Sequence, residues 1–198
     1  MLRWAIVLAL WLSPLGAQAI EALRASAISA RRLSHQPARG AHREFDRGVR
    51  AADSGHGAEA LQHFRAAVGS DPEYLEAQAY LGRLYLLQGE AVLGLEHIER
   101  ALSIEPASDV LQSNRAAALI MLRRLGEAEQ AARRAVQLAP ASIAAHYMLG
   151  LALLQQNRAT EETAEQLKIA ARKYPDVLPG LAWVRERLAA HSRAAIEP

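Results

Sequence analysis

The fold class this sequence predicts is all-α: a helix–turn–helix repeat solenoid of about four units closed by a C-terminal capping helix. Three observations carry it. Pro72, Pro106, Pro140 and Pro175 stand 34, 34 and 35 residues apart, and a fixed period of that size marks stacked repeats. Small residues recur in phase with the prolines: Gly48, Gly82, Ala116 and Gly150, then Ala67, Ala101, Ala135 and Ala170. Aromatic residues make up only 5% of the 198, while Ala, Leu, Glu and Arg dominate, a composition that favours helix over strand.

Residues 1–19 read as an export signal. Arg3 gives a positive start, residues 4–12 are apolar, Pro14 and Gly16 break the run, and Ala17-Gln18-Ala19 offers a small-x-small cleavage site. The run is shorter than the roughly 20 residues of a spanning helix. Cleavage after Ala19 gives an exported, periplasmic or secreted protein. The alternative is retention as an inner-membrane anchor, since no charge falls between Trp4 and Glu21. Membrane contact is expected only through this segment.

A basic lead segment follows at 20–40. From residue 20 to 50, seven arginines face three acids, a local net of +4, whereas 15 basic and 18 acidic residues follow from 51 onward. The lead segment is either a solvated stretch or an arm that contacts an anionic envelope surface or an acidic partner. Without interleaved aromatics it does not read as a nucleic-acid module. Cysteine is absent, which excludes disulfides, thiolate metal sites and a cysteine nucleophile.

Four units fill residues 41–175. The second, 75–108, carries Leu81-Gly82, Tyr85, Gly89, Ala101 and Pro106, with Gly94 and Ile98 on its second helix. The first, 41–74, supplies Gly48, Gly55, Ala60, Phe64, Ala67 and Pro72. Its first helix is irregular, because Glu44 and Arg47 stand at positions made apolar in the tetratricopeptide repeat family, which this pattern resembles. Either this end unit lacks a neighbour to pack against, or its helix is rotated to bury Phe45 and Val49. The third unit, 109–142, has Ala116, Leu119, Ala128, Ala135 and Pro140. The fourth, 143–175, has Leu149-Gly150, Leu153, Leu167, Ala170 and Pro175, with its extra residue expected between Asn157 and Thr163.

This pattern resembles the tetratricopeptide repeat family over about residues 41–175. Physically, Gly or Ala lets two antiparallel helices approach closely, and a bulky side chain there would overpack the contact by roughly 1–3 kcal/mol. The prolines end each second helix, and Ser108 and Ser142 are natural N-caps for the helices that follow. A capping helix is expected at 176–192, where Leu181, Val184 and Leu188 recur at helical spacing and Arg185 replaces the small residue that would admit another partner. Pro179 falls in its first turn, where proline is tolerated. Trp183 reads as end cover, and 193–198 as a tail.

No catalytic constellation emerges. There is no G-x-S-x-G, H-E-x-x-H or G-x-x-x-x-G-K. The seven histidines never form an i, i+4 pair, so they read as surface or groove residues, with no metal and no cofactor implied. The expectation is a non-enzyme.

The resemblance implies that first helices line a groove for an extended or helical peptide. Mapped onto this chain, that face presents Phe45 and Val49, Ala79 and Arg83, Ser113, Asn114 and Ala117, then Tyr147 and Leu151. Asn114 falls where related repeats hold a peptide backbone. Ala144 and Met148 stand where some relatives place basic groups for a terminal carboxylate, so no such clamp is expected. The reading is an envelope adaptor or scaffold for a protein or peptide partner. The alternatives are a self-assembling structural subunit, or an accessory subunit of an envelope enzyme or secretion complex. Arginines 115, 123, 124, 133 and 134 of the third unit against glutamates 76, 90, 96, 99 and 105 of the second offer complementary charge for weak self-association.

Overall fold

A computed structural model describes residues 35–194. The expected signal, most of the lead segment and the last four residues lie outside the described residues. Within them the chain forms eight paired helices and a ninth. The pairs are α1 (Arg39–Asp53) with α2 (Gly57–Ser70) and α3 (Leu75–Leu87) with α4 (Ala91–Ile104). Next come α5 (Asp109–Met121) with α6 (Leu125–Leu138) and α7 (Ile143–Gln155) with α8 (Glu161–Ala170). A 3-10 turn, Pro175–Val177, leads into α9 (Leu178–Ala194). Each helix packs on its sequence neighbours, and first helices also touch across units, α3 on α5 and α5 on α7. That nearest-neighbour pattern is what makes the stack a solenoid.

The turns inside the units repeat as closely as the prolines do. Gly55, Gly89, Arg123 and Asn157 all have positive φ, at 78°, 83°, 60° and 57°, and they are 34 residues apart. In each turn the next amide reaches back over the helix end: His56 to Ala51, Glu90 to Tyr85, Arg124 to Leu119 and Arg158 to Leu153. These are the six-to-one bonds of a left-handed helix cap, and they satisfy carbonyls that would otherwise be orphaned. The fourth turn is longer. Five residues separate α7 from α8, against three between α3 and α4.

Between units, Pro72, Pro106 and Pro140 follow the ends of α2, α4 and α6 by two residues. Ser108 then accepts from the Leu111 amide and Ser142 from the Ala145 amide. Thr160 caps α8 in the same way, accepting from Thr163.

Helix pairs close where side chains vanish. A Cβ on Gly82 would sit 2.8 Å from Ile98 Cγ1 and 3.1 Å from the Gly94 carbonyl oxygen. One on Gly48 would sit 2.7 Å from the Phe64 ring. The register of α1 is therefore that of α3, and neither Phe45 nor Val49 is brought inward by rotation. Both are half-buried against the first core cluster. Arg47 faces outward on the first described unit, paired with Glu44 at 2.8 Å.

Glu44 is also no exception. It begins a series of polar residues one period apart: Glu44, Gln78, Gln112 and His146. The last three reach back to the carbonyls of Pro72, Pro106 and Pro140. Three of the four also bond across to the second helix: Glu44 with His63, Gln78 with His97 and His146 with Gln166, at 2.6–2.8 Å. These bonds satisfy an inter-unit carbonyl in a buried place, where leaving it unmade would cost about 1–3 kcal/mol. His146 is thus a buried residue and His97 a half-buried one, each bonded within the stack, which corrects their reading as surface or groove groups.

The charge complementarity between the second and third units is largely consumed within the chain. Arg124 pairs with Glu127, Arg115 with Glu99, and Arg133 with Glu129 and Glu162. Arg123 donates to Gln155 and Arg134 to Gln137. Glu129, only 15% exposed, also receives Arg158 and Gln156 at 2.8 and 3.0 Å. This hub ties α6 to the long fourth turn. Burial opposes ionisation of Glu129, but bonds from Gln156, Arg133 and Arg158 outweigh it and hold its pKa below the usual carboxylate range.

α9 packs on α8. Val177, Leu181 and Val184 are buried with Leu167 and Ala170. Arg185 is exposed, and the Arg187 guanidinium lies over the half-buried Trp183 ring at 5.5 Å.

Candidate peptide groove

One face of each first helix turns away from its second helix, and side chains three and four residues apart share it. Along this face the structure separates groups available to a ligand from groups used in packing. Phe45 belongs to an aromatic cluster, with ring centroids 5.5 Å from Phe64, 5.0 Å from Tyr74 and 5.5 Å from Tyr80. Tyr147 donates to Asp176 Oδ2 at 2.7 Å and packs on Tyr174 at 4.5 Å. Burial, with the Asp176 carboxylate beside it, pushes the Tyr147 phenol up to about 12. It therefore stays a neutral donor, and it ties α7 to the approach to α9. Leu151 and Val49 are half-buried against core clusters.

Arg83, Asn114 and Ala117 differ. Arg83 is exposed, with its guanidinium 5.5 Å above the Tyr80 ring. Asn114 is half-buried and makes no side-chain hydrogen bond among the described residues, and Ala117 is half-buried beside it. Ser113, one residue before Asn114, is 7% exposed. Its Oγ is the single buried side-chain polar atom without a partner among the described residues. A buried hydroxyl left without a partner is costly, and the neighbouring Asn114 amide is also without a side-chain hydrogen bond among the described residues.

Apolar surface lies on the same helices. Leu87 is 74% exposed, Val110 60% and Met121 45%. Leu87 and Met121 follow Arg83 and Ala117 by one helical turn, so this face continues four residues past positions 83 and 117. Their 34-residue spacing was the available signal. Between α3 and α5 lies a cleft of ≈ 370 Å³, lined by Leu75, Glu76, Ala79, Tyr80, Asp109 and Val110 among others. Among the described residues, no group of His, Cys, Asp or Glu could hold a metal ion, and no helix is long and apolar enough to cross a membrane.

Comparison with known proteins agrees with this architecture. The tetratricopeptide repeat family model matches residues 45–109 and 113–177, more than half of the chain. Two curated relatives are the DnaJ homolog subfamily C member 7 homolog of Dictyostelium discoideum, 35% identical over 97 residues, and the inactive TPR repeat-containing thioredoxin TTL3 of Arabidopsis thaliana, 36% identical over 91. The matches take in 41% and 46% of this chain, but only 18% and 13% of those proteins. Among solved structures, MamA of Desulfovibrio magneticus superposes with a TM-score of 0.67 at 20% identity, covering 81% of this chain and 92% of that one. The first TPR of Spaghetti (RPAP3) bound to an HSP90 peptide gives 0.58 at 20% identity, covering 64% and 99%. YrrB, described as having an unusual peptide-binding site, gives 0.61 at 17% identity, covering 74% and 76%. The repeat period, the stacked helix pairs and the family match together place this chain in the tetratricopeptide repeat family.

Proposed function

We propose that this protein is a non-enzymatic adaptor of the cell envelope that holds a segment of a partner protein on the face of its first helices. The observation that carries the reading is the pairing on α5 of an orphaned buried hydroxyl, Ser113, with the unbonded amide of Asn114. Exposed Val110 and Met121 lie on the same helix. Two polar groups would fix a backbone while flanking apolar side chains take up the segment's own, the division of labour typical of peptide grooves. Arg83, Ala117 and Leu87 extend the surface along the solenoid. Tyr147, Phe45, Val49 and Leu151 shape its ends, because their contacts hold the helices that carry it. The envelope setting rests on the signal-like residues 1–19.

A photo-crosslinking residue at Ala117 tests the groove, with the same residue at exposed Gln130 on α6 as control. In native envelopes the Ala117 probe is expected to capture a discrete partner that Asn114→Ala with Val110→Asp releases, and the Gln130 probe none. Equal capture at both positions, or capture indifferent to the double substitution, would overturn the groove. Recovery of the full-length protein in the cytosol would overturn the location.

A further inference from the structure

Later units dock on their predecessors with one face of the first helix. Ala77, Leu81 and Leu84 of α3 share a buried cluster with Leu61 and Phe64 of the unit before. Leu149 and Ala152 of α7 share one with Ala128 and Ala132. One period before Ala77, Leu81 and Leu84, the first described unit carries Arg43, Arg47 and Arg50, and all three are exposed. Arg39, exposed one turn before Arg43, extends the row. At about 100° per residue the four arginines fall within about a quarter of the circumference of α1. They run along about 17 Å of its axis.

A docking face that is apolar in α3 and α7 is thus cationic in α1. An end unit needs only a polar outer face, and mixed charges would provide it. This stripe has one sign along its length. Arg39, Arg43 and Arg50 make no ion pair or side-chain hydrogen bond among the described residues, and Arg47 alone is held, by Glu44. Glu44 is also bound by His63, and Glu59 lies 3.7–3.8 Å from His63 and His56. Asp46, 3.9 Å from His42, and Asp53 border the stripe on its other edge.

The chemistry of the stripe selects its occupant. A guanidinium presents a planar fork that matches phosphate oxygens. No large apolar side chain stands among the four arginines to act as the buried anchor of a protein interface. A second copy docked head to tail would bring them to α9, whose exposed residues include Arg185 and Arg187 against Glu186, and like charges oppose that contact. A straight row of unpaired arginines suits a flat anionic surface, which meets all of them at once. Residues 20–38 alone separate α1 from the signal-like residues 1–19. We propose that the stripe of Arg39, Arg43, Arg47 and Arg50 seats the solenoid on an anionic phospholipid surface, lying on the headgroup phosphates without inserting. The proposal shares the envelope setting given above but makes no use of the groove.

Co-sedimentation of the full chain with vesicles tests it. Phosphatidylcholine vesicles report any binding through residues 1–19, and an equal mixture with phosphatidylglycerol adds the negative charge. At low salt the anionic vesicles are expected to bind about tenfold or more tightly, a preference that molar salt removes. Arg39→Gln, Arg43→Gln and Arg50→Gln together should cut the preference by about fivefold or more, whereas lysine at the same three positions should keep most of it. Arg100→Gln, Arg172→Gln and Arg185→Gln remove the same charge from exposed sites elsewhere and should leave it nearly unchanged. Every substituted arginine is exposed, so far-ultraviolet circular dichroism should not differ among the variants. No preference for anionic vesicles, a preference that survives loss of the stripe, or equal losses from the two glutamine triples overturns the proposal. So does stripe-dependent binding to polyglutamate that is tighter than binding to vesicles, since an acidic protein is then the occupant. No peptide enters the measurement, so failure of the groove reading leaves it intact.

Discussion

Arg123 holds the left-handed turn position that Gly55 and Gly89 hold in the first two units, at φ 60°. A side chain in that region costs about 1–2 kcal/mol relative to a right-handed conformation. Glycine pays no such penalty but carries about 0.5–1 kcal/mol of extra unfolded-state entropy. The difference predicts that Arg123→Gly is more stable than Arg123→Ala by about 1 kcal/mol. Alanine is the proper reference because both substitutions remove the exposed bond from Arg123 to Gln155, leaving only the backbone effect between them. With a urea slope of about 2 kcal/mol/M the midpoints should differ by about 0.5 M. Urea titration followed by far-ultraviolet circular dichroism measures it. The converse, Gly89→Ala, should lose a similar amount, and Asn157→Gly should gain less because asparagine tolerates this region. Equal midpoints for Ala and Gly at position 123 would refute the reasoning.

Four further outcomes follow from contacts elsewhere. Gly82→Ala should destabilise by about 2 kcal/mol, because its new methyl meets backbone atoms of Gly94 and Ile98 as well as a side chain. Gly150→Ala should change the urea midpoint far less, since its closest obstacle is the movable end of Leu167 and alanine favours helix. Burial, reinforced by Arg100, lowers the His97 pKa below 6.5. The unfolded chain therefore binds the proton first, and stability should fall as pH drops below about 6.5. Urea midpoints at pH 7.5 and 5.5 should differ more in the native protein than in His97→Gln. Glu129→Gln should cost about 1–2 kcal/mol, between the exposed and buried ion-pair limits, and differential scanning calorimetry should find the loss smaller in molar salt.

The stack was legible because its demands are local and periodic. Proline ends a second helix at a fixed distance, and a Cβ at Gly48 or Gly82 collides with the same kind of residue on the facing helix. Both requirements leave a mark in every unit. What went unread had a period but not a residue identity. Gly55, Gly89, Arg123 and Asn157 share a backbone conformation that glycine announces and arginine conceals. Glu44, Gln78, Gln112 and His146 share a place rather than a chemical type, and a search for apolar positions passes over them. Pairings such as Arg133 with Glu162, 29 residues apart, depend on the length of the fourth turn, which composition does not encode.

The outer face of the first helices was legible only in outline, and the reason bears on where a ligand would lie. A first-helix residue facing its second helix answers to a fixed neighbour, so Gly48, Gly82, Ala116 and Gly150 remain small in every unit. A residue on the opposite face answers to no neighbour in the chain unless something recruits it. Position by position that face reads Phe45, Ala79, Ser113 and Tyr147: one ring in an aromatic cluster, one methyl, one orphaned hydroxyl and one phenol bonded to Asp176. Packing explains the two aromatic residues at the ends. It offers no reason to bury Ser113 without a partner between them, and a hydroxyl there is at a disadvantage to the alanine of the preceding unit. The loss is repaid if the hydroxyl meets a ligand's backbone. Ser113→Ala should therefore raise stability while weakening capture at Ala117, and a variant that gained stability with capture unchanged would remove Ser113 from the groove.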